Sequence, residues 1–575
     1  MNQIKYPAMP DTWDAIDGLG RKMPVHDHVG DPREKFVGLF YWTWHDVPRG
    51  DPHNMADVAD ACPEALQDYD HPAWQSEKGP WYWNEPIYGY YRPFHKWVLR
   101  KHAELLANAG VDVVIFDNTN GVNTWDGAYQ ALAQVFSQAK KDGVNAPGIA
   151  FLMPLHWPYD PMNAYNCRVQ LRHIYVDFYR PGKCKDTWFY WKGKPLVMAY
   201  PDALDPHDPL DREILEFFTF RPCQPKYSHV EPRENMWGWL SLYPQQVYNN
   251  PDGTPEQITV GVAQNYNEKW GLTGMNADSV FGRTYTSKGF DTRPDAKLWG
   301  ANFQEQWDYA LQVDPEFVFV TGWNEWMASR NVIWNHQPNA LQDECDDMNS
   351  RDCEPSKGDL KDHYYYQLCA NIRRFKGARP QMEAAPPASL GLEDVAAWED
   401  GGTAYGDYPN NIDHRYEVGW NILYENNTGR NDILYSKVSH DRENVYIAVK
   451  CASLITPPSD KGWMRLFLRT RLLRPDWEGF HFVVNRINPG EKAYLEQSLG
   501  GWKWKLIEKI DYRLEGDTLI VKIPRAPLGL DTPNFKLWFK WADNNILDGD
   551  IMDVYTDGDT APGGRFMFFY HGKDE

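Results

Sequence analysis

The stretch 318–330 reads VFVTGWNEWMASR, an apolar run that feeds directly into Asn324, Glu325 and Trp326. A carboxylate at such a strand end can trade a proton with a substrate. Flanking rings that keep water away would raise its pKa, because desolvation disfavours the charged form. A second run, VDVVIFDN at 111–118, ends the same way in Asp117 and Asn118. Two carboxyl groups at two strand ends suit acid–base or nucleophilic work on a glycosidic bond. Each has a competing structural reading. Glu325 could be neutralised in an ion pair with Arg330 or another arginine, and Asp117 could serve as a turn or helix-capping residue.

The other strand ends add aromatic rings, amides and imidazoles. FVGLFYW (36–42) runs into Tyr41, Trp42, Trp44, His45 and Asp46, and GIAFLMPLHW (148–157) ends in His156 and Trp157. Later runs end in Arg221, and in Gln264 and Asn265. We take Tyr41, Trp42, His45, Asn118, His156, Arg221, Gln264, Asn324 and Trp326 as the candidate substrate contacts. The chain lacks the spacing of a zinc-binding HExxH helix, a glycine-rich phosphate loop and a GxSxG nucleophile elbow. No metal and no cofactor is therefore expected. The loop DECDDMNSRDCE (343–354) is acidic enough for calcium but lacks the EF-hand pattern, so it reads as a solvated acidic loop.

These residues need a scaffold, and the pattern of elements supplies one. Between about 36 and 376, apolar runs alternate with helical periods at 94–110, 126–143, 302–313 and 363–375. Such alternation predicts parallel strands with helical crossovers. The runs are apolar without a period of two, as strands covered on both faces should be. The expected class is α/β, a (β/α)8 TIM-like barrel over 36–376, whose strand C-termini converge on one mouth. A doubly wound sheet is the rival, but its glycine-rich turn is missing. Residues 1–35 show no clear element, and 377–394 is a linker rich in Pro and Ala. From 395 to 575 short alternating runs predict an all-β sandwich. Since every candidate acid precedes residue 377, removal of the sandwich near residue 385 is expected to leave turnover of a small substrate within about tenfold.

The bulk numbers narrow the partners. A formal charge of −21 disfavours nucleic acid. No apolar run is long enough to span a bilayer, so no membrane partner is expected. Polar residues follow Met1, so no signal peptide is read; secretion or a periplasmic location is favoured only if a leader has been removed. Eight cysteines form no CxxC pair; Cys345 and Cys353 could bridge, but free buried thiols fit better. Most of the 27 Trp, 33 Tyr and 25 Phe are expected to fill cores, and the remainder suit ligands with a C–H face and a hydroxyl rim. A poly- or oligosaccharide is the implied substrate. Oligomeric state is left open.

The segments GLFYWTWH, AGVDVVIFDNTNG, WKGKPLVMAY and DPEFVFVTGWNEW together resemble the glycoside hydrolases that include endo-α-mannosidases and α-1,3-glucanases. The resemblance implies a (β/α)8 fold and action on α-linked glycans. In the mannosidases a second Glu follows the first by three positions, and here that position is Ala328. SRDCEP (350–355) resembles the segment that follows their motif, so Glu354 or Asp117 is the expected partner of Glu325. A partner reaching in from elsewhere favours inversion. The C-terminal region, through NVYIAVKC, WMRLFLRT and WEGFHFVVN, resembles a family-nine carbohydrate-binding module, with Trp463, Trp477 and Trp502 as candidate platforms. The expectation is a glycoside hydrolase degrading a polysaccharide, with Glu325 as acid/base. The alternatives are a non-catalytic glycan-binding protein, and a polysaccharide lyase using Tyr or His as base with Arg221 neutralising a uronate.

Overall fold

The computed structural model describes residues 4–45, 51–74, 81–156, 159–224, 226–388, 390–471, 474–545 and 549–574. Asp46 and Trp157 lie outside them. Seven parallel strands form one ladder: β1 (Phe36–Tyr41), β2 (Val113–Asp117), β3 (Gly148–Leu152), β4 (Lys194–Met198), β5 (Thr219–Phe220), β7 (Pro255–Gly261) and β8 (Phe317–Thr321). Their order in space is β7-β8-β1-β2-β3-β4-β5, so β1 lies between the two strands that carry Glu325 and Asp117. The crossovers include α1 (Lys96–Ala109), α2 (Asp126–Lys141), α3 (Pro161–Ile174), α4 (Pro209–Phe217) and α5 (Ala301–Val313); α6 (His363–Lys376) follows β8. The helices α1 and α2 stop at Gly110 and Gly143, both at positive φ, a conformation glycine adopts without steric cost.

The sheet is curled. Phe40, Ile115, Ala150, Leu152, Met198 and Phe319, which come from five different strands, meet in one apolar cluster on the concave face. The alternate residues Leu39, Val114, Phe116, Phe151, Val197 and Val320 face the helices. Both faces are thus dry, which explains the absence of a two-residue period. The ladder opens between β5 and β7. There β6 (Trp237–Gly238) pairs in parallel with Cys223–Gln224, which continues from β5. The side chain of Gln257 on β7 then takes the place of a backbone ladder. Its amide accepts from Gly238 N at 2.8 Å and donates to Gly238 O at 3.1 Å. A Cβ on Gly238 would sit 2.7 Å from the Tyr248 ring, so glycine permits this approach.

The C-terminal region holds two antiparallel sheets, of five and seven strands, built from segments between Thr403 and Lys573. The expected platforms Trp463 and Trp477 are core residues there, 0% and 4% exposed. Their indoles donate to the carbonyls of Thr456 and Gly549. Trp502 is half-buried against Trp477, with ring centroids 4.5 Å apart. None of the three is a free platform. All eight cysteines are free thiols.

The segment 377–394 is pinned rather than loose: Ala378 N donates to Gly30 O, and Ala385 N donates to His571 O. The residues before β1 are wedged between the two regions. Trp13 packs on Phe566 and Phe568 and its carbonyl accepts from Arg373 of α6. A hairpin of Arg415–Val418 and Leu423–Asn426 reaches from the C-terminal region onto residues 82–95. No helix among the described residues is long and apolar enough to cross a membrane.

Candidate active site

The site is built on the residues that follow β8. Gly322 N donates to Arg351 O at 2.6 Å and Glu354 N donates to Trp323 O at 3.0 Å, so residues 351–354 lie alongside the strand end. Asp352 Oδ1 then accepts the backbone N–H of Glu325 at 2.9 Å, and its Oδ2 accepts from the Trp83 indole at 3.0 Å. A Cβ at Gly322 would lie only 3.2 Å from Asp352 Oδ1, so a bare backbone lets that carboxyl come close.

Glu325 is 7% exposed, and its Oε2 accepts from Arg351 Nη2 at 2.9 Å. Arg330 is elsewhere, stacked over Tyr69 and Trp74, so the ion pair that the sequence left open for Glu325 is made by another arginine, Arg351. Arg351 also lies 3.3 Å from Asp343 and 3.5 Å from Glu344. One guanidinium is therefore shared by three carboxyls. Burial pushes the Glu325 carboxyl well above its ordinary range; Arg351 opposes this, and the charges of Asp343, Asp352 and Asp117 add to it. Burial likewise lifts Asp352 to about 6, against the hydrogen bonds it accepts from Glu325 N and Trp83. The loop 343–354, expected to be solvated, is mostly interior: Glu344, Ser350, Arg351, Asp352 and Glu354 are each at most 3% exposed. It is the second wall of the site, and among the described residues it forms no metal-holding cluster.

Asp117, at the end of β2, is 4% exposed and is lifted by burial to about 6. Its Oδ1 accepts from Thr119 N at 3.0 Å. Its carbonyl accepts from the Trp44 indole at 3.0 Å. Trp44 stacks on Trp42 at 5.6 Å and on Trp125 at 5.2 Å, giving a row of three near-parallel indoles beside Asp117. Trp125 has φ 57, a costly conformation for an aromatic residue, held just before α2.

Glu354 occupies a different environment. Its side chain is fully buried, Oε2 accepts from Tyr91 at 2.7 Å and from the Trp326 indole at 2.6 Å, and Oε1 pairs with His102 Nε2 at 2.9 Å. Tyr41 completes the network by bonding His102 Nδ1 at 2.7 Å. Glu354 Oε1 accepts the Nε2–H, and Nδ1 accepts the Tyr41 O–H; the partners assign this tautomer. Such a saturated buried network fixes the floor beneath Trp326.

The sequence candidates separate accordingly. Tyr41 and Glu354 belong to that network. Trp326 is 0% exposed and stacked on Trp83 at 4.4 Å, so it is packing and not a sugar platform. Asn324 clamps the end of β1, accepting from Trp42 N at 2.8 Å and donating to Trp42 O at 3.2 Å. Gln264 is locked in a reciprocal amide pair with Asn302. Arg221 points the other way, to Glu256 at the start of β7, where Trp191 and Trp237 also donate. It sits at the floor of the sheet, which removes the residue that a lyase reading needed.

Four candidates keep open valences or surface. Asn118 is fully buried with both amide atoms unpartnered among the described residues. His45 donates Nε2–H to Asn324 O at 2.8 Å, burial pushes it down to about 3, and its Nδ1 lone pair has no partner among the described residues. His156 pairs with Asp202 at 3.0 Å, and its Nδ1 likewise has no partner among the described residues. Trp42 starts the indole row. Sequence reading missed Arg351, Asp352, Asp343, Trp83 and Trp125. The one signal available was an arginine set among six acidic residues in DECDDMNSRDCE.

No protein-family model and no curated protein matches the chain. Solved structures that align with it include a GH99 endo-alpha-mannosidase from Bacteroides thetaiotaomicron. One structure of that enzyme aligns at 14% identity and TM-score 0.35, over 61% of this chain and 99% of the other. Its complex with BIS-TRIS-propane aligns at 14% and 0.34, over 59% and 97%. A family-5 glycoside hydrolase from Bacteroides vulgatus aligns at 8% and TM-score 0.21, over 90% and 95%. These neighbours are all glycoside hydrolases, but at such scores they carry no argument about this chain's site.

Proposed function

We propose that the chain is a glycoside hydrolase built on a (β/α)8-type barrel, cleaving a neutral and α-linked glycan with Glu325 and Asp117 as the working carboxyls. One observation carries the reading. Two nearly buried carboxyls, both raised above their ordinary range, follow the two strands that flank β1, beside a row of stacked indoles. A carboxyl that keeps its proton near neutral pH can protonate the leaving glycosidic oxygen. A second, ionised one can activate water or attack the anomeric carbon. Glu325 is the better acid, since burial and three neighbouring carboxyls hold its proton. Asp117, near 6, is ionised at neutral pH. Asp117, Glu325, Asp343, Glu344 and Asp352 outnumber Arg351, which disfavours an anionic sugar.

The test is a panel of neutral and acidic polysaccharides and aryl glycosides, read both as new reducing ends and as near-ultraviolet absorbance. New reducing ends without absorbance, abolished in Glu325→Gln and Asp117→Asn, are expected. Unsaturated products would replace the reading with a lyase. Turnover that survives both substitutions would overturn the site assignment.

A further inference from the structure

Away from the strand ends, a groove of about 570 Å3 runs along the flank of the barrel. Its walls are α1, α2 and residues 410–417 of the C-terminal region. That size lies within the ~300–1,000 Å3 typical of small-molecule sites. The lining is amide and aromatic: Gln134 and Gln138 on successive turns of α2, Asn410 and Asn411 opposite, and the rings of Trp97 and Tyr416. Trp97 is a fixed wall, held by Arg415 at 4.9 Å and donating its indole N–H to Asp413 O. Tyr416 is the free ring, 63% exposed. Asn411 is 9% exposed, yet its Oδ1 has no hydrogen-bond partner among the described residues. That oxygen has almost no accessible surface of its own, so a ligand's hydroxyl donors would meet the exposed amides of Gln134, Gln138 and Asn410 instead.

The charges of the groove say what kind of donor. Lys96, Arg100 and Lys101 are matched by Asp142, Asp413 and Glu417. Arg100 is already spent on Glu104 and Asp142, at 2.7 and 2.5 Å. With Arg100 occupied and three cations balanced by three carboxyls, the lining carries no net positive charge to recruit a phosphate or sulfate. A row of amides facing an exposed phenol ring suits a ligand with hydroxyls on its rim and C–H groups on its face.

We infer that this groove is a second glycan site, separate from the carboxyl pair, that holds a neutral oligosaccharide stretch with Tyr416 under a sugar ring and the amides of Gln134, Gln138 and Asn410 meeting its hydroxyls. The inference adds an anchoring function to the hydrolase reading, and it needs only that the chain handle neutral glycans. The C-terminal region contributes half of the groove, although its candidate tryptophans are in the core. Its glycan contact then lies at the seam with the barrel and not on the face of a sheet.

Affinity electrophoresis of the full chain tests this, in gels containing soluble α-mannan, α-1,3-glucan, starch, β-glucan or xylan. Wild type should be retarded by at least one of them. Tyr416→Ala should weaken that retardation at least fivefold, Tyr416→Ala with Gln138→Ala further, and Tyr416→Phe should retain it. Tyr416 is exposed, so a thermal midpoint close to wild type is expected for the single variant. Equal retardation of wild type and Tyr416→Ala overturns the inference, as does a wild type that none of the five polysaccharides retards. The readout is binding, so a chain without hydrolytic activity still decides it, and its failure leaves the carboxyl pair untouched.

Discussion

Arg351 Nη2 and Glu325 Oε2 lie 2.9 Å apart, and the same guanidinium lies within 3.5 Å of Asp343 and Glu344. The pair sets both the proton affinity of the site and the stability of its second wall. Arg351 is shared by three carboxyls, and removing it leaves uncompensated charge on those that are ionised, which typically costs ~3–5 kcal/mol. Arg351→Met should therefore destabilise the chain by several kcal/mol at pH 8. The loss should be smaller at pH 5, where the stranded carboxyls can take protons. Urea unfolding at both pH values checks this, and an equal loss at both would mean that the carboxyls do not share Arg351.

Glu325→Gln keeps the shape of the side chain and a hydrogen bond from Arg351 but removes the titrating proton. Turnover on the substrate found by the panel should fall at least ~100-fold, about 2.7 kcal/mol of barrier, with substrate affinity retained. The measurement is kcat and KM of variant and wild type side by side. A rise in KM alone would make Glu325 a binding residue.

Asp117 gives a pH-dependent stability with a defined sign. Its carboxyl is raised from 3.8 to about 6 in the fold, so between those values the folded chain binds more protons than the unfolded one. Stability from this group is therefore highest below about pH 4 and falls as pH rises through 6. The full penalty is about 3 kcal/mol. Asp117→Asn removes the charge and should raise the unfolding free energy by ~1–3 kcal/mol at pH 7.5 while abolishing turnover. At pH 4 the gain should vanish. A gain of the same size at pH 4 would point to packing and not to charge.

The strand ends were legible because hydrophobic burial writes them plainly. FVFVT and VVIFD are apolar on both faces, and the first polar residues after them mark the mouth. What the side chains do there was less legible. A strand-end Asn or Gln looks the same in sequence whether it faces a substrate or, like Asn324 and Gln264, closes a hydrogen-bond ring with a neighbour far along the chain. Trp326 was read as a platform because its one-dimensional neighbour is Glu325, whereas its ring turns to Trp83 and Glu354. The loop 343–354 was misread for a related reason. Its acidity predicted solvation, but Arg351 and the backbone N–H groups of Glu325 and Arg351 satisfy the carboxyls inside the fold.

The last prediction reverses an expectation about the C-terminal region. The sequence suggested a tethered accessory that could be cut off near residue 385. The structure instead shows a clamp. Trp420, 2% exposed, donates its indole N–H to Tyr82 at 2.8 Å and lies under Arg92 at 4.7 Å. Tyr424 accepts from Tyr90 N at 2.7 Å, and Arg415 donates to Tyr88 O at 2.9 Å. The segment so held carries Trp83, which donates to Asp352, and Tyr91, which donates to Glu354. Asp352 in turn holds the backbone of Glu325. Truncation near 385 should thus yield a chain that is insoluble or at least ~100-fold less active. Trp420→Phe is the gentler probe. It removes one hydrogen bond and trims the buried indole to a smaller phenyl ring, so it should cost about 2–3 kcal/mol of stability and lower kcat more than it raises KM. A truncated chain that melts cooperatively and turns over within tenfold of wild type would show that residues 82–95 hold their place without the hairpin.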